Sequence, residues 1–530
     1  MGFFLEHKKR VTVSECLHHY FSPATFTMHG GHYSAFNIRI ILVLTLGSLT
    51  YGYAFSVISN TFGQPGFLEY FDLFDNVSYA NKIEGSISGL FSAGGILGAL
   101  TVGYMCDKHG RKITMNTAAL ICIIGGALQA GSIDVAMLLV ARFITGWGIG
   151  MMVVLIPIFQ AEISPPSSRG LLVGQHGAWI VLGYAIASWV GVGTFYSSNL
   201  SFQWRFPLAL QCIFPLGLFC CSPWVPESPR WLLMQGRHAE SWNIISRLHV
   251  DGNIVDANKL SYAQKEFHQM VKQVEMDSHA WIAGGGARQM YSKPSYRKRM
   301  MIGFFTQYAA QATGAMVVSN YMVNLYNDLG FNGGLVLILG ALYVTVATIA
   351  NFLASIVMDY VGRVRLLIIG MIGCMVTLSL ECAMEAEYMG TNNRTGNSLG
   401  VFFIFCFIFF YAGGIDATSY VYCSEIFPTH IRSQGMAFSM IGTFLSTVVF
   451  LEAGPTALSI IRWYYYVMFI CLTAVHVTIL WRYFPETKGL SLEEINMRFG
   501  DEVAVHFSEA GDDVESRNNE SNTTEEKEDI

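Results

Sequence analysis

The chain has 530 residues, of which 52% are apolar and only 13% are charged, and its formal net charge is −6. A soluble protein cannot keep that much apolar surface from water, whereas a lipid bilayer favours it. The composition therefore excludes an ordinary series of soluble domains, and we expect contact with the lipid bilayer and no nucleic-acid partner.

Twelve apolar runs follow a polar beginning. The first 35 residues lack the apolar core of a signal peptide, so residues 1–36 are predicted to be a cytoplasmic N-terminal segment. A membrane helix needs about 20 apolar residues, which every run approaches or exceeds. The predicted helices are 37–58, 85–106, 113–132, 136–158, 171–195, 206–223, 300–326, 334–358, 366–386, 399–422, 434–454 and 463–484.

The longest polar interruption, residues 224–299, divides these runs into two sets of six. It is rich in Lys and Arg and is predicted to be a cytoplasmic helical linker. The last residues, from about 511, are rich in Glu, Asp, Asn and Ser and are predicted to be disordered. The predicted domains are a six-helix bundle over 37–223, the linker over 224–299, a second bundle over 300–484 and a cytoplasmic tail over 485–530.

Lysine and arginine residues are concentrated in alternate connections between the runs. Cytoplasmic loops carry this excess in most membrane proteins, so both termini are predicted to be cytoplasmic. Three glycosylation sequons then fall on outer loops, which agrees with this topology. The sequons begin at Asn76, Asn199 and Asn393.

Three motifs occur twice, in the same order and at nearly the same separation. Such a pattern indicates a duplicated unit. The pairs are Asp107–Arg111 with Asp359–Arg363, Glu162 and Arg169 with Glu425 and Arg432, and Pro226-Glu227 with Pro485-Glu486. The first two pairs place acidic and basic side chains in loops at the cytoplasmic ends of helices. We expect them to form a gating network that holds these ends together in one state and releases them in another. The alternative is plain anchoring by loop charges in anionic headgroups.

These motifs, together with Pro226–Trp231 after the sixth run and Pro485–Gly489 after the twelfth, resemble the sugar porter family of the major facilitator superfamily. The stretch Phe202–Pro207 is similar to fungal members. The resemblance implies an all-α integral membrane protein with twelve helices in two pseudo-symmetric bundles. It also implies a central cavity, alternating access to the two sides of the membrane and a small-molecule solute such as a sugar or polyol.

The resemblance also locates candidate substrate-binding residues. Amide side chains suit sugar hydroxyls because they offer donor and acceptor together without a charge to desolvate. Gln307 and Gln311 match the family pattern on helix seven and share one helix face, whereas Ala310 and Met316 depart from it. The full candidate set is Gln175, His176, Gln307, Gln311, Tyr321, Tyr420, Thr443 and Thr447. Gln307 and Gln311 could instead be packing residues between helices.

Proton coupling is a second expectation with alternatives. Proton-driven members of the family carry an Asp in helix one where this chain has Ala54, although Arg142 of helix four is present. That loss favours a uniporter. Asp416, however, lies within the tenth run, and an ionisable residue at that depth is a functional candidate. Alternatively, Asp416 pairs structurally with Arg142 or bonds to Thr418. The sequence therefore leaves two possibilities open, a uniporter and a proton symporter.

The leading functional hypothesis is a carrier, most naturally in the plasma membrane. A receptor on the same scaffold is the main alternative, but such sensors usually have a longer cytoplasmic tail. An enzyme is not expected, because no nucleophile with an adjacent base and no phosphate-binding loop is present. The eleven cysteines lack zinc-ligand spacing, so neither a metal nor a cofactor is expected.

Overall fold

A computed structural model describes most of the chain. The described residues are 34–73, 77–165, 169–249, 257–283, 289–322, 325–326, 334–388, 393–461, 463–492 and 494–501. Most of the predicted N-terminal segment, the tail from about 511 and the sequon residue Asn76 lie outside this part.

The first half of the chain forms six membrane-crossing segments. They are α1 Ala35–Phe62, α3 Val77–His109, α4 Arg111–Ala130, α5 Val135–Ile163, α6 Arg169–Phe195 and the broken helix α7 Leu200–Leu210 with α8 Ile213–Cys221. A short helix, α2 Pro65–Tyr70, follows α1. The third, fourth and fifth helices keep the predicted positions within a few residues. The second helix begins eight residues earlier than predicted, because its polar first turns are helical although they are not apolar.

A group of four polar helices joins the halves within the described residues. These helices are α9 Pro229–Met234, α10 His238–His249, α11 Ala257–Ala283 and α12 Gln289–Ser292. They lie beside the ends of the bundles where the repeated loop motifs occur, since Trp231 Nε1 donates to the carbonyl of Asp107 (3.1 Å). We call this side of the molecule the linker end and the other side the opposite end.

The second half repeats the arrangement. Its segments are α13 Pro294–Gln311 with α14 Ala315–Asn320, α15 Gly334–Val361, α16 Arg363–Tyr388, α17 Arg394–Tyr411 with α18 Ala417–Glu425, α19 Arg432–Ile461 and α20 Tyr464–Tyr483; a last helix is α21 Glu494–Arg498. Within the described residues, eleven segments are long and apolar enough to cross a membrane. The seventh is the exception because it breaks at Gly314, where φ is +89° and a Cβ would lie 2.9 Å from the ring of Phe469.

The duplicated motifs build the same turn in both halves. Gly110 and Gly362 have φ of +87° and +102°, a conformation that glycine adopts without strain, and let one helix follow another at once. The repeated glutamates then cap the second helix of each pair. Glu227 accepts from the backbone N–H of Arg111 (2.9 Å), and Glu486 accepts from that of Arg363 (2.8 Å). These carboxylates satisfy helix N-terminal donors that otherwise have no partner.

The two halves pack face to face. In the first half α5 packs against α3 and α4, and in the second α19 packs against α13 and α16 packs against α17. Across the interface α6 packs against α15 and α3 packs against α19. Both halves are filled by apolar clusters, and that of the first half continues into α18 and α19 of the second. The space between the halves holds the site described next.

Candidate functional site

A buried ion pair lies at the linker end of the first half. Arg111 donates to both carboxylate oxygens of Glu162, from Nε at 2.9 Å and from Nη2 at 2.8 Å. Both side chains are fully shielded from solvent. Ser228, which precedes α9, also donates to Glu162 (2.5 Å). This two-pronged geometry is the strong form of an arginine–carboxylate pair.

The second half contains the matching pair. Arg363 donates to Glu425 (3.0 Å) and contacts Asp359 (2.9 Å). Thr487 takes the place of Ser228 and donates to Glu425 (2.7 Å). The duplicated sequence motifs therefore occupy equivalent places in the two bundles.

Other contacts cross from one half to the other. Arg432 of α19 lies 3.5 Å from Glu162 of α5. Asp107 accepts from Ser433 (2.7 Å), and Asp359 accepts from the backbone N–H groups of Gly170 (3.0 Å) and Leu171 (2.8 Å). The eight residues predicted to form a gating network meet here, and we call them the linker-end cluster: Asp107, Arg111, Glu162, Arg169, Asp359, Arg363, Glu425 and Arg432.

A cavity of about 570 Å³ lies between the halves, on the side of the linker-end cluster that faces the opposite end. This volume is within the usual range for small-molecule sites, about 300–1,000 Å³. Its polar lining includes Ser59, Asn60, Ser188, Ser319 and Asn320, and its aromatic lining includes Phe55, Tyr184, Tyr321, Tyr343, Tyr411, Tyr420 and Tyr466. The titratable acids among the described lining residues are Glu84, Glu385 and Asp416, and these lining residues include no Lys, Arg or His.

Two of the eight substrate-binding candidates, Tyr321 and Tyr420, line this cavity. The others are buried nearby or directed elsewhere. His176 shares a hydrogen bond with Ser48 (2.8 Å), and its ring lies 5.0 Å from that of Tyr420. His176 thus belongs to the layer directly behind the cavity wall.

The helix-seven amide makes its hydrogen bonds within the protein. Gln307 accepts from Thr443 (3.0 Å) and donates to Cys423 (3.5 Å). Thr447 donates to the backbone carbonyl of Thr443 (2.8 Å), and Gln175 donates to a carbonyl of its own helix (3.1 Å). Gln311 is buried, and its carbonyl oxygen has no partner among the described residues. In this conformation these residues do not line the cavity.

Asp416 and Arg142 do not pair. Arg142 donates to the backbone carbonyl of Ala54 (2.9 Å) and lies over the ring of Phe91 (4.2 Å). Asp416 accepts from the amide of Asn351 (3.0 Å), whose oxygen accepts from the backbone N–H of Ala417 (3.2 Å). These bonds fix the orientation of the amide, so a donor faces Asp416.

Asp416 closes a π-helical turn, Ala412–Asp416, between α17 and α18. Such turns are frequent at functional sites. The hydroxyl of Thr418 has no partner among the described residues, so neither structural alternative for Asp416 is present.

Several cavity residues were not predicted. Glu84, near the start of α3, and Glu385, on α16, line the cavity, and Asn351 holds Asp416. Glu381 lies one helical turn before Glu385. The spacing of two glutamates within an apolar run was the available signal for this pair, because acidic residues are rare at membrane depth.

The described residues form twelve segments in two related halves, eleven of them long and apolar enough to cross a membrane. Together with the cavity between the halves and the charge cluster that closes one end, they define a multi-pass membrane carrier of the alternating-access class. The sequence matches the "Sugar (and other) transporter" family over residues 40–499. The chain therefore belongs to this family, whose members are carriers and not enzymes.

Individual similarities agree with this membership. The chain is 31% identical to the MFS-type transporter criB of Aspergillus cristatus over 91% of this chain and 97% of that protein. It is 27% identical to the sugar transporter STL1 of Saccharomyces cerevisiae over 80% of this chain and 74% of that one. The structure of the proton:xylose symporter XylE bound to 6-bromo-6-deoxy-D-glucose superimposes with a TM-score of 0.76, at 24% identity over 88% of this chain and 99% of XylE. This likeness shows the major facilitator fold.

Proposed function

We propose that the chain carries a sugar or a sugar-like polyol across the plasma membrane by alternating access, coupled to protons through Asp416. The linker end is the cytoplasmic end in this proposal, so both termini are cytoplasmic and the cavity faces outwards. The domain boundaries derived from the sequence describe the same arrangement: two bundles, 37–223 and 300–484, and the linker, 224–299.

The cavity between the halves is the observation that carries this proposal. It is lined by hydroxyl, amide and aromatic groups, which suit the hydroxyls and the C–H faces of a sugar. The relatives with named solutes support the same class, since they include glucose transporters of yeasts and the arabinose–proton symporter of Bacillus subtilis.

The contacts of the linker end support alternating access. Closure there uses buried charges, for example Glu162 with Arg432. At the opposite end, described hydrogen bonds between the halves are exposed and uncharged: Ser59 to Asn320 (3.2 Å) and Trp189 to Thr345 (3.1 Å). Exposed neutral bonds cost little to break. A solute therefore enters from the opposite end in this conformation.

Asp416 is the proposed proton carrier because it has a donor partner and, among the described residues, no cationic partner. Its carboxyl group lines the cavity and accepts from Asn351, so it is accessible to protons that enter with the solute. Arg142, bound to a backbone carbonyl, is the proposed partner of the coupling reaction in the other conformation. Tyr321 and Tyr420 are the first proposed contacts of the solute. The remaining candidates, Gln175, His176, Gln307, Gln311, Thr443 and Thr447, are proposed to contact it as the halves move.

Uptake of radiolabelled hexoses, pentoses, disaccharides and polyols into cells without their own sugar carriers tests the function. We expect saturable uptake of at least one member of the panel, raised by an inward proton gradient. Background uptake of every compound, with the protein at the cell surface, would refute the carrier.

Two substitutions test the assigned residues. Asp416→Asn is expected to abolish accumulation against a gradient, whereas Glu387→Gln, which removes an exposed carboxylate, leaves it unchanged. Uptake that responds neither to Asp416→Asn nor to a protonophore would establish uniport. Gln311→Ala is expected to raise the apparent KM or to end uptake at normal surface expression, and normal kinetics in that variant would place the solute elsewhere.

A further inference from the structure

Two glutamates of α16 are buried in the second half without an assigned role. The exposed fractions of Glu381 and Glu385 are 2% and 4%. They are four residues apart on one helix, so they lie on the same face, about 6 Å apart along the axis. The charge of Glu385 therefore acts on Glu381.

Glu381 has no hydrogen-bond or ion-pair partner in the part of the chain that the structure describes. Neither of its carboxylate oxygens has a hydrogen bond within the described residues, and no described Lys, Arg or His forms an ion pair with it. An isolated carboxylate in an apolar interior is strongly disfavoured, and a second carboxylate one turn away adds repulsion. The neutral, protonated form of one member avoids both costs.

Glu385 connects this pair to the cavity. It lines the cavity, whereas Glu381 lies one turn nearer the linker end, because α16 begins at Arg363 on that side. A proton from the opposite end therefore reaches Glu385 first and Glu381 second.

The titratable groups around the pair come from every element packed against α16. Tyr343 of α15, Tyr411 of α17, Asp416 of the π-helical turn and Tyr466 of α20 line the same cavity as Glu385, and Tyr420 of α18 lines it too. On α16 itself, Cys382 donates to the carbonyl of Trp463 (3.9 Å). Tyrosine hydroxyls and cysteine thiols are neutral when protonated and ordinarily lose their protons above neutral pH, so they supply no positive charge.

We propose that Glu381 and Glu385 form a proton-binding carboxyl pair in the cavity wall, which holds one proton between them and exchanges it through the cavity. This site is separate from Asp416 and does not depend on the identity of the solute. One proton adds to a carboxylate of the pair and leaves again as a proton, so no other reactant takes part.

Infrared spectroscopy of the purified protein tests the pair without any solute. A protonated carboxylic acid has its own carbonyl band, which shifts in deuterated water. The spectra are recorded between about pH 6 and about pH 9, where an exposed glutamate, with a pKa of about 4.3, is ionised. The spectra are recorded in the Asp416→Asn variant as background, so that the carboxyl group of Asp416, the proposed proton carrier, does not contribute to the same spectral region.

We expect this background to retain a protonated carboxyl band at about pH 6 that the double substitution Glu381→Gln, Glu385→Gln removes. Glu387→Gln, an exposed glutamate of the same helix, should leave the band in place. In Glu385→Gln alone the band should persist, because it then belongs to Glu381, and it should disappear in the double variant.

Absence of the band in the Asp416→Asn background, or its full persistence in a folded double variant, would overturn the pair. If the double variant does not fold, Glu381→Gln alone serves, because it removes the unpartnered carboxyl group and must weaken the band. Failure of sugar uptake would leave this result untouched, so the two proposals fail separately.

Discussion

Replacement of Glu162 by glutamine should open the linker end. The substitution keeps the size of the side chain but removes the anion that Arg111 and Arg432 share, and all three side chains are fully shielded in this conformation. Loss of one partner of a buried ion pair costs about 3–5 kcal/mol, because the remaining charge is left without compensation. Water reaches these arginines once the halves part, so the cost falls on the closed conformation.

The expected shift in the equilibrium between the closed and open conformations follows from that cost. A cost of about 3 kcal/mol moves the equilibrium between the conformations roughly 100-fold, since each 1.4 kcal/mol is a factor of ten. Pulsed electron spin resonance measures it as a distance between spin labels at the exposed positions His109, at the end of α3, and Lys488, after α20. Reactive cysteines elsewhere are first replaced by serine. We expect a longer-distance population in Glu162→Gln.

Two matched variants make the measurement decisive. Glu425→Gln breaks the equivalent pair, but the described hydrogen-bond and ion-pair partners of Glu425, Arg363 and Thr487, belong to its own half. Glu425→Gln should lower thermal stability as much as Glu162→Gln does, but it should shift the distance between the labels less. Glu240→Gln breaks a surface pair with Arg237 whose side chains are 48–56% exposed, which is worth at most about 1 kcal/mol. Identical distances in Glu162→Gln and the wild type would refute the gating role of the cluster.

Two further predictions concern stability, measured as Tm in detergent. Burial alone would raise the pKa of Asp501, but hydrogen bonds from Lys293 and Ser295 and the charge of Arg299 outweigh burial and lower that pKa. The stabilisation by the Asp501 carboxylate is therefore complete above the unfolded pKa of about 3.9 and is lost as pH falls through the folded pKa. Asp501→Asn should lower Tm at neutral pH, and the difference in Tm from the wild type should shrink below about pH 4. A pH-independent difference in Tm would contradict this. Gly52→Ala should destabilise the protein by about 1–3 kcal/mol, because the new Cβ would lie 1.9 Å from the carbonyl oxygen of Ile180. Gly193→Ala is the control, since open space surrounds Gly193 and its Tm should not change. Equal Tm values in the two variants would contradict the close approach of α1 and α6.

The sequence was most informative where a local pattern has a single structural solution. The repeated Asp-x-x-Gly-Arg motif needs a glycine with positive φ between two helices, and both Gly110 and Gly362 have it. The role of the repeated Pro-Glu motif was not predicted. Glu227 and Glu486 cap helices more than a hundred residues away, a contact that no local pattern contains.

The cavity could be predicted only in outline. Helix periodicity places residues on a face, but the shape of the cavity depends on how twelve helices pack. Gln307 and Gln311 share a face as expected, yet Thr443 occupies the hydrogen-bonding capacity of Gln307 in this conformation. Glu84 lies in a helical turn that is too polar for an apolar run, so its part in the lining came from the structure alone.

The charge of the cavity leads to a prediction about solutes. Its described lining contains the carboxyl groups of Glu84, Glu385 and Asp416 and no basic side chain. A neutral solute replaces water there without electrostatic cost, whereas an anion meets like charges, which disfavours binding by several kcal/mol when the charges are close. For whichever sugar the uptake panel identifies, the uronate analogue should therefore compete at least about tenfold more weakly than the parent sugar, a difference of about 1.4 kcal/mol.

The substitution Glu84→Gln separates this electrostatic effect from a steric one. A uronate carboxylate is only slightly larger than the hydroxymethyl group it replaces, so a steric barrier would remain after Glu84 becomes neutral. Electrostatic exclusion would instead weaken, and the uronate should compete better in Glu84→Gln while the parent sugar is unaffected. Equal competition by uronate and parent in the wild type would show that the cavity carries little negative charge when it binds a solute, which would mean that its three carboxyl groups are protonated together.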